Sequence, residues 1–404
     1  MRTVHGMTQT IRRPSRRGIL VASLVCLLCS SLGLAARLRD DAGASLTAAP
    51  PAPTTPSTAP VVAECTGGDA LDFDCWEARY VSMVGSAGAD AALADLDAAR
   101  RTSGFVFAAC HQLTHRIGRV AGERLGRAAF GEGSTLCASG YYHGVSEAVM
   151  AAIGPANVER DAMSVCAEQR ATQPGSNVHY NCVHGMGHGF MGVFESDMFR
   201  SLDACETLGD PWEQEQCYGG VFMENMSALN HATRPTAKNL RVDEPLYPCT
   251  AVARQFKAPC YEKQTAYALF ISDDDFGHVF ELCATTPEHE LRLVCDEGIG
   301  GDAAIHASKY LKVEADQLRS IRTLCGLGAD DEARAHCLAG AVRTAIRDRG
   351  EDDAHSAAIC AASDVAAIRE LCERTRAQAR AELLARPAET THATDATDAT
   401  GHHH

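Results

Sequence analysis

The sequence predicts an all-α fold built from disulfide-stapled helical-hairpin repeats, and three observations predict it. Sixteen of its 18 cysteines fall into neighbouring pairs that recur about every forty residues. The segments around them are apolar at helical spacing, with few alternating β-branched runs to compete. A glycine recurs at one position after the second cysteine of most pairs.

The first residues serve another purpose than folding. Arg2, Arg12, Arg13, Arg16 and Arg17 precede an apolar run from Gly18 to Ala36, and no Asp or Glu stands before Asp40. That pattern is an export signal. SRRGIL, Ser15 to Leu20, also resembles a twin-arginine signal, which implies export of an already folded protein. Residues 1–36 are expected to be either a signal peptide, cleaved after Ala35 or Ala36, or a retained N-terminal membrane anchor. The protein is then extracellular, periplasmic or at the cell surface. Residues 37–63 are rich in Pro, Ala and Thr and read as a linker. Residues 385–404, ending in three histidines, read as a disordered tail. The folded part is expected over 64–384, long enough for a substantial core.

The first 39 residues carry seven arginines and no acid, so removing them from a net −15 leaves −22 on the remainder. Such a chain is a poor partner for nucleic acid and suits divalent cations or cationic partners.

Cys26 and Cys29 lie in the apolar run. The other sixteen are an even set in an exported chain and predict eight disulfides. The expected pairs are Cys65/Cys75, Cys110/Cys137, Cys166/Cys182, Cys205/Cys217, Cys249/Cys260, Cys283/Cys295, Cys325/Cys337 and Cys360/Cys372. In the last five, the partners stand eleven or twelve positions apart. Each unit reads as two antiparallel helices joined near the disulfide. DMFRSLDACETL brings its helix to Cys205, GDPW breaks it, and EQEQCYGGVFMENMSAL resumes it. The upstream pairs read as the same unit with longer turns. Three positions after the second cysteine stand Gly140, Gly185, Gly220, Gly298 and Gly340, which fits close helix–helix contact.

This layout, with CYGGVF from Cys217 and CLAGAV from Cys337, resembles the Sel1-like, cysteine-rich helical-hairpin repeats related to tetratricopeptide repeats. The resemblance is architectural and covers roughly Phe105 to Leu384. It implies a curved α-solenoid, a form that often binds peptides or glycans.

The chemistry-bearing residues cluster in 105–230. His111 and His115 stand four apart, as do His143 and Glu147, and His184 and His188. Residues four apart lie one above the other on a helix, so each pair aims two ligands in one direction. Six positions after the second cysteine stand His143 and His188, which repeat register puts on one strip; the next unit offers Glu224 beside it. Imidazole and carboxylate ligands suit Zn, Fe or Cu, and the thiols are spent in disulfides. One or two divalent transition metal ions are expected at His111, His115, His143, Glu147, His184, His188 and Glu224. Glu147 or Glu224 would be the catalytic base for a metal-activated water. NCVHGMGHGF also poses a conflict: its histidines suit a helix, while Gly185, Gly187 and Gly189 oppose one. Gly144, Gly187 and Gly189 would leave room for metal and substrate, or let helices pack more tightly.

Other motifs are weaker. SDDDFGH, Ser272 to His278, lacks a spaced calcium loop and reads as a solvated turn. Arg234 to Cys249 reads as a lid or a connector. No GxSxG, phosphate loop, dinucleotide fingerprint or CxxCH stands in the chain. The functional expectation is an exported metal-dependent enzyme, a hydrolase or an oxidase/oxygenase. The alternative is a non-catalytic solenoid that binds a peptide, glycan or protein partner; a lesser option is metal capture.

Overall fold

The computed structural model describes residues 64–66, 71–227, 239–311, 313–349 and 353–384. Every regular element among them is helical. The expected signal or anchor, the linker and the tail lie outside the described residues. Among those described, no helix is long and apolar enough to cross a membrane.

Helices α1 (Phe73–Ala87) and α2 (Ala89–Thr102) open the fold. Then come α3 (Gly104–Leu125), α4 (Leu136–Ile153), α5 (Val158–Asp161), α6 (Ala167–Thr172) and α7 (Asn177–Val193). They are followed by α8 (Met198–Cys205), α9 (Pro211–Ser227), α10 (Arg254–Ile271), α11 (Phe276–Ala284) and α12 (His289–Tyr310). The last are α13 (Glu314–Cys325), α14 (Asp331–Arg349), α15 (Asp353–Ala361) and α16 (Ala366–Leu384). Side-chain caps begin several of them. Ser103 accepts from the Val106 amide at 3.2 Å, Ser176 from His179 at 3.2 Å and Asp197 from Arg200 at 3.1 Å. Asp275 caps α11 through the His278 amide at 3.0 Å, so the acidic SDDDFGH run makes a turn and a cap.

All eight expected cysteine pairs are disulfides, with Cα–Cα separations from 5.4 to 5.9 Å. Each closes a short loop and contributes about 3 kcal/mol in the chain-entropy view. So many disulfides belong to an oxidising compartment. Helices α8/α9, α11/α12, α13/α14 and α15/α16 are the expected hairpins, a short helix turning into a longer one at its disulfide. Cys249 departs from this, for the stretch before it is a series of turns rather than a helix. Gln264 pins that stretch to α10 by donating to the Pro245 and Tyr247 carbonyls, each at 2.8 Å. The earlier part of the expected lid lies outside the described residues.

The longer helices pack side by side. A Cβ placed on Gly140 would strike the His111 carbonyl, and one on Gly144 the His115 carbonyl. Gly185 meets Ser146, Gly189 meets Met150, and Gly220 meets the His184 carbonyl. Residue numbers rise together along both partners of each contact. So α3, α4, α7 and α9 run parallel, each laid on the one before. Gly298 against the Glu262 carbonyl and Thr265 bonded to Asp302 at 2.7 Å show the same for α10 and α12. Leu113, Ile117, Tyr141, Val145, Met186 and Phe190 are fully buried in this row, each contributing roughly 1.5–3 kcal/mol.

One expectation needs correction. Cys110/Cys137 does not close an outer-to-inner hairpin like the later units. It joins α3 to its parallel neighbour α4, because α3 is itself the first helix of the inner row. The row also bends back on itself. Asn177 at the start of α7 donates to the Arg347 carbonyl on α14 at 2.8 Å, and Arg347 reaches the Tyr180 hydroxyl at 3.2 Å.

The glycine contacts yield a first prediction. In an open helix, glycine to alanine stabilises by up to about 1 kcal/mol. At Gly187 the new methyl would meet the Cys217 carbonyl and the Val221 amide. Gly187→Ala is expected to destabilise by about 1–3 kcal/mol. Gly192→Ala, in the same helix with nothing within 4 Å of the new methyl, should be neutral or stabilising. Thermal unfolding of both variants with disulfides intact checks this.

Candidate metal centre

Four consecutive parallel helices bring the seven predicted residues to one place. Helix α3 supplies His111 and His115, α4 His143 and Glu147, α7 His184 and His188, and α9 Glu224. NCVHGMGHGF is fully helical, despite its glycines. The cost of those glycines is met by helix contact that any larger residue would block. Gly144, Gly187 and Gly189 press on neighbouring helices, so they leave no room for a substrate; tighter packing is their role.

His143 sits at the centre. Its ring lies 5.4 Å from His111, 5.6 Å from His115, 5.1 Å from His184 and 4.4 Å from His188, centroid to centroid. His143, His184 and His188 are each 1–2% exposed. Three sets of side chains offer one ligand atom each within 4.8 Å of one another: His111/His115/His143, His143/His184/His188 and His115/Glu147/His188. Glu224 belongs to none of these. Its carboxylate accepts from His188 Nδ1 at 2.9 Å, on the outer side of the ring.

The outer nitrogens of the other rings are engaged in a similar way. His111 Nδ1 donates to the Cys137 carbonyl at 2.9 Å. His184 makes a backbone hydrogen bond to Gln216. His115 Nδ1 lies 3.7 Å from Glu147, whose carboxylate also faces Arg119 at 3.8 Å. Holding Nδ1 from outside fixes the ring and leaves Nε2 as the inward lone pair. The carbonyl that holds His111 is delivered by an unusual turn. Cys137, Ala138 and Ser139 all take left-handed backbone, with φ of 55°, 55° and 62°. Each costs about 1–2 kcal/mol in an L-residue, and the adjoining Cys110–Cys137 disulfide keeps the turn in place.

The centre of the cluster is left unsatisfied. His143 Nδ1, His184 Nε2 and His188 Nε2 are buried and find no hydrogen-bond partner among the described residues. Each such atom costs roughly 1–3 kcal/mol against water. Burial, followed by the neighbouring imidazoles, pushes His143 well below the usual histidine range. Burial and then His188 do the same to His184, aided by Lys263 and Arg347. Burial also lowers His111, against the pull of its Cys137 bond. These rings are neutral near pH 7, the form in which imidazole binds a metal.

Two features around the cluster were not foreseen. A cavity of about 490 Å³ opens beside His111, between Phe107 and Cys137 on one side and Ala304, Ile321 and Thr344 on the other. Beside His184 stand Lys263 and Arg347. Burial would raise the Glu262 carboxyl there, but these two cations overcome it and hold the group at about 2. A third feature lies at the start of α7, where Glu213 of α9 packs against it and is 1% exposed. It accepts two bonds of 2.7 Å from Arg170 and one of 2.8 Å from His179 Nε2. No local spacing marks any of these. The later histidines, in contrast, are spent on ordinary acid partners: His289 on Glu332 at 3.0 Å and His336 on Glu297 at 2.9 Å.

No protein-family model, curated protein or solved structure matches this chain. The Sel1-like likeness therefore rests on the hairpin layout alone.

Proposed function

We propose that this chain is an exported metal-dependent enzyme whose His/Glu cluster holds a divalent transition metal, Zn, Fe or Cu. The observation that carries the reading is the set of buried imidazole nitrogens of His143, His184 and His188 that lack a partner among the described residues, with His184 and His188 held at their other nitrogen. A cluster kept for packing alone would be better served by apolar side chains, which leave no orphaned atoms. The cavity beside His111 favours catalysis over a closed structural site, since a substrate has a way in. Export is supported by the eight disulfides and by the basic and apolar start of the sequence.

In this reading His111, His115, His143, His184 and His188 are ligands and Glu224 orients His188. Glu147, 11% exposed at the edge of the cluster, is the group placed to ligate or to take a proton. The bound metal would supply Lewis acidity or redox capacity, for hydrolysis or for oxidation.

Elemental analysis of protein purified without chelator tests this. At least one Zn, Fe or Cu per chain should survive dialysis. Glu224→Gln should keep the fold and weaken binding by roughly 10–100-fold, as loss of an outer partner does. A native protein without stoichiometric metal would overturn the proposal.

A further inference from the structure

We propose that the centre is dinuclear and that His143 bridges its two ions through both ring nitrogens, as an imidazolate. The inference rests on the metal-binding reading above and goes beyond it.

His143 differs from the other four histidines. His111, His184 and His188 each commit one nitrogen to a carbonyl or carboxylate outside the cluster, and His115 turns Nδ1 towards Glu147. His111, His184 and His188 thus keep one nitrogen each for a ligand role, as suits a ligand to a single ion. Among the described residues no hydrogen bond to the His143 ring is found, and its Nδ1 is fully buried. None of those residues selects a tautomer for this ring. A terminal ligand bound through Nε2 would leave Nδ1 stranded in the core. A bridging ligand leaves none.

The surrounding groups divide the same way. His143 is the shared member of two sets, His111/His115/His143 and His143/His184/His188. Each set offers one ion three nitrogens, and three protein ligands are the pattern of a catalytic rather than a structural site. Glu147 supports the division. It forms its own set with His115, from the first ion's ligands, and His188, from the second's. The carboxylate, one turn along α4 from His143, therefore lies within reach of ligands from both sets. Charge and protons balance simply. Neutral His143 loses its remaining N–H proton to solvent when the second ion binds, and no electron moves.

Copper(II) titration of the full, disulfide-intact protein, freed of its native metal, tests the bridge. Two ions per chain should bind. At full loading the electron paramagnetic resonance signal should lose most of its two-spin intensity at low temperature, because a shared imidazolate couples the spins. Replacing one copper with zinc should restore a full single spin. Glu224→Gln should still show coupling when loaded. His143→Ala should bind without any coupling if it folds, and the wild-type measurement stands without it. Two ions with uncoupled spins, or one ion per chain, would overturn the bridge and leave the metal site intact. No bound ion would overturn the metal reading itself.

Discussion

The His188→Ala protein is expected to hold metal far more weakly than the wild type. The loss should exceed the roughly 10–100-fold that removal of an outer partner costs. His188 belongs to two of the three ligand sets, so one truncation depletes both. It is also the ring that Glu224 orients, at 2.9 Å, and Glu224 is 7% exposed. The variant should therefore lose about 1–3 kcal/mol of apo stability besides, from a buried carboxylate deprived of a donor. His184→Ala removes a ligand from one set and disturbs no carboxylate, so it should weaken metal less, its apo cost coming from the cavity and the lost bond to Gln216. Metal content by elemental analysis and unfolding of the metal-free proteins separate the two effects. Equal, full metal content in both variants would make these histidines packing residues.

The largest loss of stability is expected at Glu213. Its carboxylate ties α6, through Arg170, to His179 in the first turn of α7, and it stands on α9 itself. Glu213→Ala deprives the buried His179 imidazole and the part-buried Arg170 guanidinium of their shared acceptor. Breaking a buried pair from one side costs about 3–5 kcal/mol. For a folded region of about 320 residues, each kcal/mol lowers the melting temperature by roughly 1–2 °C. A fall of about 5 °C is therefore expected, with metal content preserved in the fraction that stays folded. Glu213→Gln keeps part of the hydrogen bonding and should fall between. A change of only a degree or two would mean that the network merely decorates a core held by the disulfides.

What the sequence made legible was local. Cysteines a turn apart can pair only with one another once their helices form, so the eight disulfides follow from spacing. Histidines four apart must share a helix face, so each pair's direction was readable. Repeat register then placed His143 and His188 together, because the repeated glycine forces the same close contact at each step. The place of α3 was not readable. The cysteine pattern cast it as an outer helix, whereas its own small residues, Gly118 and Gly122, lay it directly against α4. That position is what turns His111 and His115 inwards. Glu224 was placed correctly beside the strip, but one residue of helical phase decides whether it faces the centre or the back of His188. Arg347 reaches Tyr180 across 167 positions of sequence, a distance over which no motif carries information.

The parallel course of α3, α4, α7 and α9 has an electrical consequence. Peptide dipoles in these helices point the same way, so their ends do not cancel as they would in an antiparallel bundle. Each contributes about half a positive charge at its start and half a negative charge at its finish. The short return helix α8 offsets little of this, with 8 residues against 22 in α3. The His cluster thus sits in a field directed along the helix axes, in a dry interior where screening is weak. The cavity beside His111 lies by the starts of α3 and α4, at Phe107 and Cys137. A negatively charged molecule entering there is drawn towards the positive helix starts, and a positively charged one is repelled by them.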